Sequence, residues 1–186
     1  MVEVEVRARL REGYAKVRAR LVKKGASFGK PAEQQDAYYR PAKRAWVEQL
    51  PGDYVVRVRR SSKGCFLTYK ALTEIRGTWD EHEITVSDPE AAEQMLGHLG
   101  LVKVLDLRKK RERAKFRGFE ICLDRVKGLG DYIEAEIITR HANREAARRK
   151  IIKFLQEIGI RESDLDSRGY PEIIFEKRGF KYSGMR

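Results

Sequence analysis

The stretch Glu3-Val4-Glu5-Val6-Arg7 decides how the rest of the chain is read. Successive side chains of a strand point to opposite faces, so Glu3, Glu5 and Arg7 share one face while Val4 and Val6 share the other. The pattern returns as Glu81-His82-Glu83-Ile84 and again as Glu134-Ala135-Glu136-Ile137. Like charges opposite one another in a sheet are destabilising, so gathering three such pairs requires a compensating cation. A divalent metal and neighbouring arginines are the candidates.

Outward from this strand, Tyr14, Val17 and Leu21 recur at helical spacing within 11–24, and Gly25 is placed to end that helix. Residues 26–53 hold Pro31, Pro41, Pro51 and Gly52, which reads as loop with one short extended piece at 36–39. Strands are expected at 54–60, 65–70 and 79–86, and their close spacing argues for antiparallel pairing. Asp88 before Pro89 marks the start of a second helix carrying Ala92, Leu96 and Leu99 up to Gly100. Long strands at 102–116, 118–126 and 132–140 follow, and Asn143 opens a third helix with Ala147, Ile151, Leu155 and Ile158 that closes on Gly159. Each Glu-x-Glu strand is thus followed by an amphipathic helix ending at a glycine. The segment 161–186 is weakly patterned, with a strand expected only at 173–176.

Alternation sorts the strand residues into two sets. One face carries Glu3, Glu5, Arg7, Arg57, Arg59, Phe66, Thr68, Lys70, Glu81, Glu83, Thr85, Cys122, Asp124, Glu134 and Glu136; the other carries Val4, Val6, Val56, Val58, Leu67, Tyr69, Ile84, Val86, Ile121, Leu123, Ile133, Ala135 and Ile137. Helices must cover the apolar face. An open sheet with water on its charged side predicts mixed signs along each strand. Instead the signs segregate: acids on three strands, Arg57 with Arg59 on another, Lys109 with Arg111 on a fifth. Seven or eight antiparallel strands with such faces can close into a barrel with a charged lumen. The expected class is therefore α+β, a barrel flanked by amphipathic helices.

Composition narrows the partners. Forty Lys and Arg against twenty-eight Asp and Glu leave a net charge of +12, which favours a polyanionic ligand. The 186 residues suit a single domain able to bury a core. Two distant cysteines, Cys65 and Cys122, indicate neither a disulfide framework nor a zinc motif. No window approaches about 18 apolar residues and the N-terminus lacks a basic then apolar leader, so neither membrane span nor signal peptide is expected, and a cytoplasmic location is.

Taken together and in order, Glu3-Val4-Glu5-Val6-Arg7, Asp36 with Tyr38 and Tyr39, Val56-Arg57-Val58-Arg59, Leu67-Thr68-Tyr69-Lys70, Glu81 and Glu83, Lys109-Lys110-Arg111, Leu123-Asp124-Arg125-Val126-Lys127-Gly128-Leu129-Gly130 and Glu134-Ala135-Glu136 resemble the CYTH superfamily, the triphosphate tunnel metalloenzymes. That superfamily includes class IV adenylyl cyclases and thiamine triphosphatases, and the resemblance covers about residues 1–160. It implies an eight-stranded antiparallel barrel whose tunnel binds a triphosphate with Mg²⁺ or Mn²⁺. Carried over, it implies metal ligands at Glu3, Glu5, Asp124, Glu134 and Glu136, with Glu81 and Glu83 as further candidates. It implies phosphate-gripping cations at Arg7, Arg57, Arg59, Lys70, Lys109 and Arg111, of which Arg7 and Lys70 are the catalytic candidates. Mg²⁺ takes oxygen ligands shared with substrate phosphates, and guanidinium groups meet phosphate bidentately. Two departures stand out. Arg7 occupies a position where the family usually has Lys, and 161–186 does not resemble the ending of cyclase-like members.

Three functions compete at this point. A metal-dependent enzyme on ATP, as a cyclase, or on thiamine triphosphate or inorganic triphosphate, as a triphosphatase, uses the acidic pairs; a homodimer is compatible with either. A non-catalytic polyphosphate or nucleic-acid module needs only the net charge, and the carboxylates oppose it unless a metal intervenes. Plain surface ion pairing contributes little and leaves the segregation of sign without a cause. Tyr38, Tyr39, Trp46 and Trp79 are candidates to stack on an organic group, each with packing as the simpler role. His82, His98 and His141 read as structural.

Overall fold

The computed structural model describes residues 2–42, 53–72, 79–166 and 168–179. Among the described residues, nine strands and four α-helices follow one another as β1 (Val2–Arg9), α1 (Tyr14–Lys23), β2 (Ala32–Pro41), β3 (Tyr54–Ser61), β4 (Gly64–Leu72), β5 (Trp79–Val86), α2 (Pro89–His98), β6 (Leu101–Phe116), β7 (Phe119–Val126), β8 (Gly130–Thr139), α3 (Arg144–Glu157), β9 (Leu165–Asp166) and α4 (Tyr170–Lys177). The hydrogen-bonding order is β5-β4-β3-β2-β6-β7-β8-β1-β9. Antiparallel registers join β2 to β3, β3 to β4, β4 to β5, β6 to β7, β7 to β8 and β8 to β1. This is the α+β antiparallel architecture expected. The strands number nine rather than eight because the two-residue β9 adds to β1, with Arg7 opposite Asp166. The order has two ends, β5 and β9, and among the described residues no pairing closes it into a ring.

The chain divides into two compact units, one of Met1–Ala32 with Lys109–Arg168 and one of Glu33–Arg108 with Gly169–Arg186. In the first, α1 and α3 lie on the apolar face: Val17, Leu21, Ile151, Leu155 and Ile158 pack in one cluster with Val4, Val6, Ile121, Leu123, Ile133 and Ala135. The partition made by alternation is therefore the real one in this unit. Gly25 and Gly159 end α1 and α3 with positive φ, 105° and 83°. At Gly159 a Cβ would also meet the Arg20 guanidinium, the far end of a flexible side chain that can give way, so it is the positive φ that calls for glycine there.

In the second unit Leu96 of α2 packs with Ala37, Tyr39, Val56, Val58 and Leu101. Asp88 caps that helix as expected, its side chain accepting a 2.9 Å hydrogen bond from the Ala91 amide. Three expectations fail. Residues 32–41 form a full strand, because a strand paired on both sides draws its stability from its neighbours and tolerates Glu33, Gln34 and Gln35. Ile84 is 60% exposed, not helix-covered, because α2 packs on β3 and β4 and leaves the end strand β5 bare. The strand expected at 173–176 is helical: Glu172 accepts from the Gly169 amide at 2.7 Å, closing the first turn of α4, and Tyr170 and Ile173 bury one stripe.

Candidate functional site

Part of the charged face is as deeply buried as the apolar one. On the first unit's sheet, Lys109 and Arg111 of β6, Asp124 of β7, Glu134 and Glu136 of β8, and Glu3, Glu5 and Arg7 of β1 lie on one face by alternation and register. Asp124 is 0% exposed, Glu134 2% and Arg111 6%. Buried charges of this kind persist only when paired and hydrogen-bonded, and these are. Arg111 donates from Nε and Nη2 to Asp124 at 2.6 and 2.5 Å, and Nη2 also reaches Glu134. Lys109 Nζ lies 3.4 Å from Asp124. Arg7 donates from Nε to Glu134 at 2.8 Å, from Nη2 to Glu5 at 2.5 Å, and from Nη1 to the Arg168 carbonyl.

Arg7 therefore uses its planar fork in three directions at once, which a lysine ammonium on a flexible stem cannot reproduce in this geometry. The carbonyl it binds belongs to the segment just after β9, so part of the weakly patterned C-terminal region has a concrete structural task. Burial pushes the Glu134 and Asp124 carboxyls up, but the cations prevail: Arg111 and then Arg7 hold Glu134 well below the ordinary carboxylate range, and Arg111 and Lys109 hold Asp124 below it.

The remaining acids behave oppositely. Glu3, Glu5 and Glu136 bring carboxylate oxygens within 4.8 Å of one another. Glu136 forms no ion pair among the described residues, and burial, with Glu134, Glu5 and Glu3 adding to it, pushes its carboxyl up to about 8. A carboxyl that resists ionising because acids surround it is where a cation gains most. Of the five acids the resemblance implies as ligands, the structure thus gathers Glu3, Glu5 and Glu136 into a group of oxygen donors suited to a hard divalent ion. It places Asp124 and Glu134 one step back, gripping guanidiniums.

The second unit has its own charged face. Asp36, fully buried, takes both Nε and Nη2 of Arg59 at 2.7 Å. Arg57 meets Thr68 at 3.1 Å and Glu83 at 3.2 Å, and Lys70 lies 3.1 Å from the Glu81 carboxylate. Burial acts to raise the Glu81 carboxyl, but Lys70 and Arg57 bring it below its usual value. Glu81 and Glu83 are exposed and bound to cations, so here they serve as counter-charges.

Sequence reasoning gave Asp36 no role, although an acid opposite Arg59 in a strand pair was the available signal. It also passed over Glu112, which lies on the apolar side of β6 and accepts from Tyr14 Oη and from Arg18 Nε at 2.8 Å. Tyr14 and Arg18, four residues apart on α1, were the trace of that partner. Of the aromatic candidates, Tyr39 is a packing residue bonded to Glu93, and Tyr38 sits on the charged face, where burial pushes its hydroxyl up to about 12. Trp46 lies outside the described residues, as does the Trp79 side chain. His82 is an exposed partner of Asp80, and none of the site residues is a histidine.

Comparison with known proteins adds identity to geometry. The model of the CYTH domain family matches residues 1–170. A Methanocaldococcus jannaschii protein named "Putative adenylate cyclase" is 29% identical over 176 residues, 93% of this chain and 98% of its own. The structure of the PH1012 protein of Pyrococcus horikoshii superposes with a TM-score of 0.78 at 28% identity, covering 91% of this chain and 98% of that one. A Hippeastrum structure, described as a putative adenylyl cyclase with a dominant triphosphatase activity, shares the fold at a TM-score of 0.66 and 17% identity, covering 98% of this chain and 97% of its own.

Proposed function

Since the chain belongs to the CYTH domain family, we propose that it is a divalent-metal-dependent enzyme acting on a triphosphate, with cyclisation of ATP to cyclic AMP and pyrophosphate as the leading reaction. The observation that carries this reading is the group of Glu3, Glu5 and Glu136 beside a buried row of cations. Carboxylates oppose a polyanion unless a metal stands between them, so a plain anion-binding surface has no use for this arrangement. The donors fit Mg²⁺ or Mn²⁺, which the three carboxylates would hold. When bound, the ion supplies neutralisation of triphosphate oxygens and support for in-line attack at phosphorus.

The protein's own residues set up the rest. Asp124 and Glu134 fix Arg111 and Arg7, so these guanidiniums are oriented before a ligand arrives and lose little freedom on binding. Arg111 keeps Nη1 without a protein hydrogen bond among the described residues, a donor available to a phosphate oxygen. Arg7 cannot give up its proton in water, which makes it an orienting cation rather than a base. Lys109 is proposed as a further phosphate contact, its Nζ lying 3.4 Å from Asp124 on the same face. Arg57, Arg59 and Lys70 are proposed phosphate ligands of the second unit, with Lys70 the catalytic candidate there.

Hydrolysis of thiamine triphosphate or inorganic triphosphate is the alternative outcome of the same machinery. The relative named as a cyclase favours cyclisation, while the Hippeastrum protein is described as a triphosphatase on a similar fold. The test is incubation with Mg²⁺ or Mn²⁺ and, separately, ATP, thiamine triphosphate and inorganic triphosphate, resolving cyclic nucleotide from phosphate and pyrophosphate. Metal-dependent cyclic AMP from ATP is expected. Phosphate release without cyclic product selects the alternative, and no turnover of any triphosphate with either ion defeats the enzyme reading.

A further inference from the structure

The row of acids extends one strand beyond the group just described. Glu136 of β8 stands opposite Glu5 of β1 on one side and opposite Glu120 of β7 on the other. Three carboxylates in line across three strands carry two like-charge oppositions, and the Glu3, Glu5 and Glu136 group answers only one of them. Arg113 approaches Glu120 at 3.1 Å, but both side chains are substantially exposed, and such a pair is worth little.

An independent feature lies two residues along β7 on the same face. Cys122 is 0% exposed and has no hydrogen bond among the described residues. Its Sγ and the carboxylate oxygens of Glu120 and Glu136 all lie within 4.8 Å of one another. A wholly buried, unpartnered thiol aimed between two carboxylates contributes no packing that an alanine or valine would not supply.

We propose that Glu120, Cys122 and Glu136 form a second metal site, selective for a borderline divalent ion such as Zn²⁺ over Mg²⁺. Sulfur decides the selectivity: thiolate ligands suit Zn²⁺ and Co²⁺, whereas Mg²⁺ takes oxygen donors. On binding, the Cys122 S–H bond breaks, the proton leaves to solvent, and a sulfur–metal bond forms with two carboxylate oxygens beside it. Three protein ligands leave a position open, as in zinc sites that take a further ligand. The partly exposed Glu120 provides the route by which an ion reaches the buried sulfur. Because Glu136 belongs to both groups, an ion on Cys122 draws that carboxylate away from Glu3 and Glu5 and antagonises the hard ion; this consequence rests on the function proposed above.

The experiment titrates metal-free protein with Co²⁺ and reads the sulfur-to-cobalt charge-transfer absorption in the near ultraviolet, with no substrate present. The band is expected to saturate in the native chain, to vanish when Zn²⁺ is added, and to require excess Co²⁺ when Mg²⁺ is abundant. It is expected to be absent in Cys122→Ser, weakened about tenfold or more in Glu120→Gln, and unchanged in Cys65→Ser. Glu120→Gln, at a partly exposed position, keeps the test decisive if Cys122→Ser folds poorly. No band in the native chain, a band that survives Cys122→Ser, or native binding in Glu120→Gln overturns the site, and indifference to Mg²⁺ overturns the antagonism. Because absorbance is read without turnover, this site and the proposed reaction fail separately.

Discussion

Replacing Arg111 by Met probes the buried charge network most sharply. The side chain is nearly wholly buried and carries two contacts to Asp124 and one to Glu134. Met has similar bulk but no charge, so two buried carboxylates lose the guanidinium they share, while Arg7 and Lys109 remain beside them. Removing one partner of a buried pair costs about 3–5 kcal/mol, and because Arg7 and Lys109 stay in place the lower end, roughly 3 kcal/mol, is expected here. With a urea slope of about 2 kcal/mol per molar, the unfolding midpoint should fall by roughly 1.5 M at pH 7. The pH dependence has a definite sign. Both acids are held below their ordinary range in the native protein, so their contribution is present above about pH 4 to 4.5 and is lost as pH falls through the lower folded values. The gap between native chain and variant should therefore shrink toward pH 3. The double variant Arg111→Met with Asp124→Leu removes both partners and should recover most of the loss. A single variant within about 1 kcal/mol of native at pH 7, or a double variant no better than the single, refutes this account of the network.

Two further outcomes are expected. Arg7→Lys keeps the charge but gives up at least one of three directed bonds, so it should lose about 1.5–3 kcal/mol in chemical denaturation; a variant as stable as the native chain would show that the fork contributes no stability here. For Glu136, the folded carboxyl sits near 8 instead of 4.5, so metal-free protein should lose stability as pH rises from about 4.5 through about 8. Glu136→Gln lacks this titration, and the melting-temperature difference, variant minus native in EDTA, should grow from pH 5 to pH 9; a constant difference contradicts the assignment.

How far the sequence reached depends on which force placed each element. Val4, Val6, Ile121, Leu123 and Ile133 were legible because burial on a pleated sheet follows period two, and α1 and α3 because their apolar stripes and terminal glycines follow from helix geometry. Strand β2 was hidden because Gln34, Gln35 and three prolines around it carry no strand preference, and pairing on both sides overrides that. Residues 173–176 misled because Ile-Ile-Phe-Glu suits a strand as well as a short helix, and the side chain of Glu172 closing on Gly169 decided between them. In the site, alternation placed Glu3, Glu5, Asp124, Glu134 and Glu136 on one face, as the register has them, but could not show how they group. Whether Glu134 faces an ion or a guanidinium depends on Arg7 and Arg111 reaching across strands, a distance that no linear spacing encodes. The position of Glu120 beside Glu136 was invisible for the same reason: only the register between β7 and β8 brings it to the row.

Glu3, Glu5 and Glu136 are proposed to serve a metal needed for turnover of a triphosphate. The direct measurement is the initial rate of product formation from ATP, thiamine triphosphate and inorganic triphosphate, with Mg²⁺ or Mn²⁺ and with EDTA, for the native chain and for Glu136→Gln shown by circular dichroism to be folded. Turnover of at least one substrate is expected to require the ion and to be abolished by EDTA and by Glu136→Gln. Turnover that persists in EDTA, or a folded Glu136→Gln with the native rate, contradicts it.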